Sequence, residues 1–283
     1  MEQKKALALH DLSSIGRAGL TQAMSALTAM GHQCVPLPTA VYSSHAGIPG
    51  FVTQDLTEWL SGALGQYEAL GLRFDAVLSG FLSAPAQVAC VKRAAACKAP
   101  DGILLVDPVM GDNGKLYKIC TPELVDSLRQ LCRVADYITP NVTEAAVLLG
   151  LPADTTPKDT DEAEQWVQEL CTRYETRTVL TGLGDESNVL TLCGQDGAVQ
   201  TVQNPRIGAY YPGTGDLFAA VLTGGLMRGE HLTDAAQSAA NFVCACIRAT
   251  AQMNYPPQWG VTLEPQLWRL YDERNLTGNR PVL

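Results

Sequence analysis

The chain has 283 residues, 46% of them hydrophobic and 17% charged, so it is long and apolar enough to bury a large core. The formal net charge is −9 and no basic run stands out, which argues against nucleic acid or an anionic membrane as a partner. The nine cysteines lack metal-ligand spacing, which is typical of reduced thiols in a cytoplasmic protein. We predict neither a signal peptide in the short N-terminal apolar run nor a transmembrane span.

Strand-like and helix-like segments alternate along the chain. The first half predicts strands at 6–9, 34–41, 74–79 and 103–106 and helices at 18–30, 55–64, 87–97 and 122–133. The second half predicts strands at 137–138 and 178–180, a hairpin of 187–193 with 198–202, and helices at 143–149, 160–174, 216–228, 233–250 and 264–276.

This order of elements predicts an α/β fold. Residues 1–283 should form a single domain, with a doubly wound, mostly parallel sheet flanked by helices and a β-hairpin at one edge. Pro36 and Pro38 predict an edge or irregular position for the second strand. Thr160 is predicted to cap the helix that begins there, and Thr143 is a candidate cap for the helix before it.

The motif Gly213-Thr214-Gly215-Asp216 stands at the predicted start of a buried helix. Two glycines allow a ligand to approach the backbone, and a helix N-terminus adds free N–H groups and partial positive charge, so the motif predicts an anion hole. A carboxylate beside such a hole suits a base that takes a proton from a hydroxyl attacking phosphorus. The same residues are also typical of an ordinary helix cap, and the motif alone does not separate the two interpretations.

Polar residues follow several predicted strands, where ligands bind in open α/β sheets. Asp112 and Glu144 carry oxygen ligands suited to Mg²⁺, and Asn141 and Thr181 can donate to phosphate oxygens. Each of these residues is also explained by a strand end or a cap. The chain has no GxxxxGK[ST] motif, no GxGxxG after the first strand and no GxSxG, so we exclude a P-loop and disfavour a dinucleotide enzyme. None of the four histidines has metal-ligand spacing.

The motifs DPVMGDNG (107–114), TPNVTE (139–144), VLTG (179–182) and GTGD (213–216), in this order, resemble the ribokinase-like superfamily. Together with TAVYSSHAG (39–47), they make nearly the whole chain similar to the pyridoxal and pyridoxamine (vitamin B6) kinases. The resemblance implies a cytoplasmic kinase, usually dimeric, that uses ATP and Mg²⁺ to phosphorylate the 5′-hydroxymethyl group of pyridoxal, pyridoxine or pyridoxamine.

The resemblance also implies roles for single residues. Asp216 would be the catalytic base beside an anion hole of Gly213, Thr214 and Gly215. The implied ATP-binding residues are Asp112, Tyr117, Asn141, Glu144, Thr181 and Gly182. Asp112 and Glu144 would hold Mg²⁺, and a K⁺ or Na⁺ ion would lie at Asp107, Thr139 and Thr181. The implied substrate-binding residues are Asp11, Ala18, Tyr42, His45 and Phe81, with Asp216.

Two positions depart from the family pattern. Asp11 stands where many relatives carry Ser, and Ala46 where they carry Thr. Asp11 resembles the Asp of hydroxymethylpyrimidine kinases, so a kinase of thiamine synthesis stays an alternative, as does a non-catalytic vitamin-binding protein of the same fold. The chain keeps Asp216 and has no cysteine between Gly194 and Asp216, which favours the vitamin B6 kinases over dual-activity relatives.

The segments 42–50 and 203–212 are rich in glycine or proline and are predicted to close over substrate. Residues 206–208 and the helix near Asn241 are candidates for the adenine pocket.

Overall fold

A computed structural model describes residues 3–208 and 210–271. The strands are β1 (Lys5–Ser13), β2 (Gln33–Tyr42), β3 (Thr53–Asp55), β4 (Phe74–Ser79), β5 (Lys98–Val106), β6 (Gly111–Asp112), β7 (Lys115–Leu116), β8 (Tyr137–Ile138), β9 (Arg177–Gly184), β10 (Asn188–Gln195) and β11 (Ala198–Pro205). The α-helices are α1 (Leu20–Ala29), α2 (Thr57–Ala69), α3 (Pro85–Ala96), α4 (Pro122–Cys132), α5 (Val142–Leu149), α6 (Thr160–Tyr174), α7 (Thr214–Met227) and α8 (Leu232–Ala251). Two 3₁₀ helices, Pro257–Trp259 and Glu264–Leu270, follow them.

The main sheet has the strand order β11-β10-β9-β8-β5-β4-β1-β2-β3 in the described part of the chain. The six central strands, from β9 to β2, are parallel. Antiparallel strands close both sides, with the β10–β11 hairpin at one edge and β3 at the other. The predicted fold class, a mostly parallel sheet with a hairpin edge, is confirmed.

Helices cover both faces of the sheet because alternate strand residues point to opposite sides. In β1, Leu7 and Leu9 pack into a core with α2 to α6, whereas Ala6 and Ala8 pack into a second core with α1, α7 and α8. The central strands are therefore buried on both faces, as their apolar sequences predict.

The position of β2 explains its prolines. Its outer side pairs with β3 only at Ala40, Val41 and Tyr42, so within the described structure the stretch before them has an open edge. Pro36 and Pro38 pair with β1 on the inner side. The predicted edge position is correct for this stretch, since proline offers no N–H to a further strand.

Several local predictions need correction. The N-cap of α6 is Asp159 and not Thr160, because the Asp159 carboxylate accepts a hydrogen bond from the Glu162 amide at 2.9 Å. The predicted four-residue hairpin loop is a two-residue turn, Asp196-Gly197, with φ of 52° and 80° at its two residues. These positive φ angles give the tight turn that suits the twist of a hairpin.

The last predicted helix, 264–276, is a 3₁₀ helix over Glu264–Leu270, and residues 272–276 lie outside the described residues. β3 and the small β6–β7 sheet were not predicted from the sequence. Among the described helices, none has the length and apolar character that a bilayer crossing requires. All nine cysteines lie in described segments and are free thiols.

Candidate active site

A cavity of about 510 Å³ opens at the carboxyl ends of the parallel strands, beneath the β10–β11 hairpin and beside α7 and α8. It is lined by every residue predicted for ATP, Mg²⁺, the monovalent cation and the anion hole, namely Asp107, Asp112, Tyr117, Thr139, Asn141, Glu144, Thr181, Gly182, Gly213, Thr214, Gly215 and Asp216. Residues from four separate motifs thus meet at one site. It lies at the carboxyl ends of the strands, where open α/β sheets bind their ligands.

The turn at Gly213 brings the start of α7 to this cavity. Gly213 is the N-cap, with φ of 79°, and a Cβ there would lie 2.3 Å from the carbonyl oxygen of Arg17. No side chain caps the helix, so neither Thr214 nor Asp216 serves as a side-chain cap of α7. A Cβ on Gly215 would meet no atom within 4 Å, which leaves room for a ligand beside the helix N-terminus.

Asp216 lies in the first turn of α7 and is largely buried. Its Oδ2 accepts a 2.6 Å hydrogen bond from the amide of Gly19, and its Oδ1 lies 3.2 Å from Nε2 of His10. Burial alone would raise the pKa of Asp216, but His10 and the Gly19 amide outweigh it and lower the pKa below its usual value. Asp216 is therefore ionised at neutral pH, as a proton acceptor must be.

His10 ends up between two carboxylates. Its Nδ1 lies 2.8 Å from Oδ1 of Asp11, whose Oδ2 accepts a 2.6 Å hydrogen bond from the Ser13 hydroxyl. Burial lowers the pKa of His10, but the attraction of Asp216 and Asp11 exceeds that effect and raises the pKa well above the usual value. This contact was not predicted, although the place of His10 at a strand end beside Asp11 was a usable signal.

Asp107 and Thr139 lie on the floor of the cavity. Burial and the nearby charge of Asp216 raise the pKa of Asp107 to about 7, while His10 opposes them. The Thr139 hydroxyl is buried without a well-formed hydrogen bond to any described residue. A buried hydroxyl of this kind needs a partner, and together with Asp107 it offers oxygen ligands to a cation or a water molecule.

Glu144 and Asn141 form a capping box at the start of α5. The Asn141 Oδ1 accepts from the Glu144 amide at 3.0 Å, and the Glu144 Oε2 accepts from the Asn141 amide at 2.9 Å. The Glu144 Oε1 also accepts from the amide of Met110 at 3.0 Å. Asn141, and not Thr143, therefore caps this helix. Burial and Asp107 raise the pKa of Glu144 well above its usual value.

Asp112 belongs to the β6–β7 hairpin, whose turn is Asn113-Gly114 with φ of 52° and 75°. The Asp112 carboxylate accepts from the Asn113 amide at 2.8 Å and stays partly open to the cavity. Asn-Gly is the strongest short-range signal for such a hairpin, so this element was detectable in the sequence.

The charges around the cavity fit a cation. Four carboxyl groups line it, those of Asp107, Asp112, Glu144 and Asp216, against the single guanidinium of Arg206 among the described lining residues, and a bound cation would favour their ionised forms. The four carboxyl groups and the Thr139 and Thr181 hydroxyls offer oxygen donors, which suit Mg²⁺ or K⁺ better than a softer metal. No three His, Cys, Asp or Glu residues in the described part of the chain converge to hold a metal by themselves. A Mg²⁺ here would share its coordination with phosphate oxygens and water.

The residues predicted around the pyridine ring are not among those that line this cavity. Tyr42 stands 5.5 Å from Phe51 and 6.2 Å from Phe81 between ring centroids, forming an aromatic cluster. Ala18 is buried beside the Gly213 turn, and Asp11 is turned toward His10. Phe51 was not predicted.

His45 is held by a segment that the sequence did not connect with it. Its Nε2 lies 2.6 Å from the carbonyl oxygen of Gln258, and a Cβ on Gly16 would lie 2.1 Å from its Cδ2. Beside it, Arg17 donates to Glu264 at 3.0 Å and to the Tyr255 hydroxyl at 2.6 Å. The C-terminal segment therefore braces the loop after β1.

The other end of the cavity is apolar. Val189, Ala240, Val243 and Ile247 line it, as do residues 206–208 from one of the predicted closing loops. Asn241 instead accepts a hydrogen bond from Asn204 at 2.8 Å and is not a lining residue. Tyr210 and Tyr211 also line the cavity, and neither was predicted.

Comparison with known proteins agrees with this geometry. The model of the phosphomethylpyrimidine kinase family matches residues 11–258. The chain belongs to this family. A pyridoxine/pyridoxal/pyridoxamine kinase of Bordetella bronchiseptica is 28% identical over 84% of this chain and 86% of that protein.

Two solved structures have the same fold. One, from Bacteroides thetaiotaomicron with pyridoxal, is described as a candidate phosphomethylpyrimidine kinase, with 36% identity, TM-score 0.89 and coverage of 95% of this chain and 96% of that one. The other, a Leishmania donovani pyridoxal kinase with ADP and pyridoxamine, has 25% identity, TM-score 0.81 and coverage of 95% and 96%. The predicted resemblance to vitamin B6 kinases and the ribokinase-like fold are confirmed, and the chain is a phosphotransferase acting on an alcohol group.

Proposed function

We propose that this protein transfers the γ-phosphoryl group of ATP to the 5′-hydroxymethyl group of pyridoxal, pyridoxine or pyridoxamine. The observation that carries the proposal is the start of α7, where an uncapped helix N-terminus and the buried, ionised Asp216 face a cavity lined by the strand-end residues. The names of the related kinases and their bound ligands, pyridoxal, pyridoxamine and ADP, support the same reaction.

In the proposed reaction, Asp216 accepts the hydroxyl proton as the hydroxyl oxygen attacks the γ-phosphorus, and the bond to the ADP oxygen breaks. The free amides at Gly213, Thr214 and Gly215 would bind the negative charge that develops on the transferred group. Asn141, Thr181 and Gly182, with Tyr117, would position the ATP phosphates, and the apolar end of the cavity would hold the adenine base. Phosphoryl transfer depends mainly on such positioning and charge neutralisation.

Asp112 and Glu144 are our proposed Mg²⁺ residues, and Asp107, Thr139 and Thr181 our proposed residues for a K⁺ or Na⁺ ion. Bound cations would neutralise phosphate charge in an acidic cavity with one lining guanidinium. The excess of carboxyl groups and the buried Thr139 hydroxyl beside Asp107 support these assignments. The Glu144 oxygens already accept backbone amides, so we expect Glu144 to act partly through water.

On the substrate side, Tyr42, His45 and Phe81, with Ala18, are proposed to surround the pyridine ring. The aromatic cluster offers a flat apolar wall, and His45 offers a polar group at its edge. The role of Asp11 in binding the pyridine ring stays a prediction. Its two carboxylate oxygens already contact His10 and Ser13.

The decisive experiment compares kcat/KM for pyridoxal, pyridoxamine, pyridoxine and hydroxymethylpyrimidine with the purified full chain and MgATP. We expect the vitamin B6 forms to be preferred. A clear preference for the pyrimidine would overturn the proposal in favour of a kinase of thiamine synthesis. That second candidate is favoured by the description of the matching family model and by Asp11. Tight vitamin binding without turnover of any alcohol would favour a non-catalytic protein.

We further propose that residues 1–283 form a single domain that acts as a cytoplasmic homodimer. The two apolar cores on opposite faces of one sheet support a single folding unit. Light scattering during size exclusion should give about twice the mass of one chain. A monomer at working concentration would contradict the dimer.

A further inference from the structure

His10 is a buried histidine with a carboxylate on each side. It is 4% exposed, Asp11 faces its Nδ1 at 2.8 Å, and Asp216 lies 3.2 Å from its Nε2, an ion-pair contact that lacks the angles of a hydrogen bond. The Asp11 backbone N–H also has the geometry of a donor to Nδ1, at 2.9 Å, and so competes with the Asp11 carboxylate for this nitrogen. We assign a proton to Nδ1 because the carboxylate is the nearer and the charged partner. An imidazole that faces two carboxylates through its two nitrogens is stabilised as the doubly protonated cation.

The neighbours leave His10 little freedom. A Cβ on Gly80 would lie 1.9 Å from the His10 Cδ2, so the end of β4 packs directly against the ring. Ser13 holds the far oxygen of Asp11, and the Gly19 amide holds the other oxygen of Asp216. A chain of contacts thus runs from Ser13 through Asp11 and His10 to the carboxylate at the start of α7.

We propose that His10, held by Asp11, is a positioning residue that keeps the Asp216 carboxylate aimed at the substrate hydroxyl. The inference rests on the proposed function, since Asp216 must be the base for its orientation to matter. The Gly19 amide holds one Asp216 oxygen by a hydrogen bond, and the charge of His10 attracts the other, which leaves lone pairs on both for the hydroxyl. Asp11 then acts on the reaction through His10 and not by choosing between vitamin forms.

The charged groups around this chain come from several elements. Asp11 lies on β1 with His10, Asp107 follows β5, Asp216 belongs to α7, and His45 lies in the loop after β2. Asp107 and His45 both influence the titration of this cluster. Asp107 and His45 remain in every variant below, so a difference between the variants and the wild type reports on the altered residue.

The first test is His10→Gln, which keeps a hydrogen-bond donor but removes the charge and the bridge to Asp11. We expect kcat for pyridoxal to fall about 10- to 100-fold, with the KM values for ATP and pyridoxal within about threefold of wild type. The acid limb of the kcat profile should also move to higher pH, because losing a nearby cation favours the protonated carboxylate.

The matched control is His32→Gln. His32 is also a buried histidine, 6% exposed, but its Nε2 contacts the carbonyl oxygen of Gly224 at 3.0 Å and no carboxylate. This variant should lose stability without a change in kcat or in the pH profile. If His10→Gln does not fold, His10→Asn provides the same test, since it can keep the Asp11 contact but is too short to reach Asp216.

A double-mutant cycle separates positioning from a general structural role. In an Asp216→Asn background, His10→Gln should change kcat by less than about threefold, because the group that it positions is gone. Asp11→Asn should lower kcat by one common factor for pyridoxal, pyridoxamine and pyridoxine. Unchanged kcat in His10→Gln, equal losses with and without Asp216, or an altered vitamer preference in Asp11→Asn would overturn the inference. A wild-type chain that turns over none of these alcohols would overturn the proposed function itself.

Discussion

Replacing Asp216 by asparagine removes the proposed base while nearly preserving its shape. A general base contributes roughly 10²–10⁴-fold to the rate, and each factor of ten corresponds to about 1.4 kcal/mol of activation free energy. We therefore expect kcat to fall by about 10²–10⁴, which corresponds to about 3–6 kcal/mol of activation free energy. The KM for ATP should change little, because the phosphate-binding amides at Gly213 to Gly215 stay in place.

The structure also predicts a loss of stability in Asp216→Asn. One carboxylate oxygen accepts from the Gly19 amide and the other faces His10, but asparagine has only one oxygen for these two positions. Either the Gly19 amide or His10 therefore faces the NH₂ group of the asparagine instead of an oxygen. This loss should lower the free energy of unfolding by about 1–3 kcal/mol. Circular dichroism melting measures this loss, and steady-state assays with pyridoxal and MgATP measure kcat.

Asp136→Asn is a matched control. The Asp136 carboxylate also accepts a backbone amide, that of Leu104 at 2.6 Å, and pairs with Lys98 at 2.5 Å, but it lies at the opposite ends of the strands. This variant should lose stability and keep its kcat. A kcat for Asp216→Asn within about threefold of wild type would refute the role of Asp216 as the base.

The remaining predictions concern the cation, the turn, a helix and a loop. Glu144→Gln should raise the Mg²⁺ concentration needed for half-maximal rate, measured by titration at fixed ATP. Gly213→Ala should lower both kcat and thermal stability, because φ is 79° and its Cβ would lie 2.3 Å from a carbonyl oxygen. Gly62→Ala should raise the free energy of unfolding by about 0.5–1 kcal/mol, since Gly62 lies inside α2 and its Cβ would meet open space. ATP with pyridoxal should protect the loop at 203–212 from protease, seen as slower cleavage by mass spectrometry.

Each of these predictions has an outcome that contradicts it. An unchanged Mg²⁺ titration would count against Glu144 as a metal residue, and a fully active Gly213→Ala would count against a close-packed turn. A lower melting temperature for Gly62→Ala would mean that α2 is not helical at that residue. Equal cleavage with and without ligands would argue against closure of the loop.

Local patterns explain why so much of the fold was predictable. Apolar runs such as Ile103 to Val106 and helical spacing along α4 identify their elements without knowledge of their neighbours. Asn113-Gly114 carried an equally local hairpin signal. The cap of α6 was misplaced by one residue because Asp159 and Thr160 are both good caps, and only the backbone conformation distinguishes them.

The sequence by itself determined the order of strands and helices, the turn at Gly213 and the set of polar residues that follow strands. The tertiary structure decided which partners these residues have. Glu144 accepts the amide of Met110, 34 positions before it, and Asp216 meets the Gly19 amide across 197 positions of the chain. Such contacts depend on which strands become neighbours in the sheet. For that reason His10, which has no motif of its own, becomes the partner of the proposed base only when β1 lies beside the start of α7.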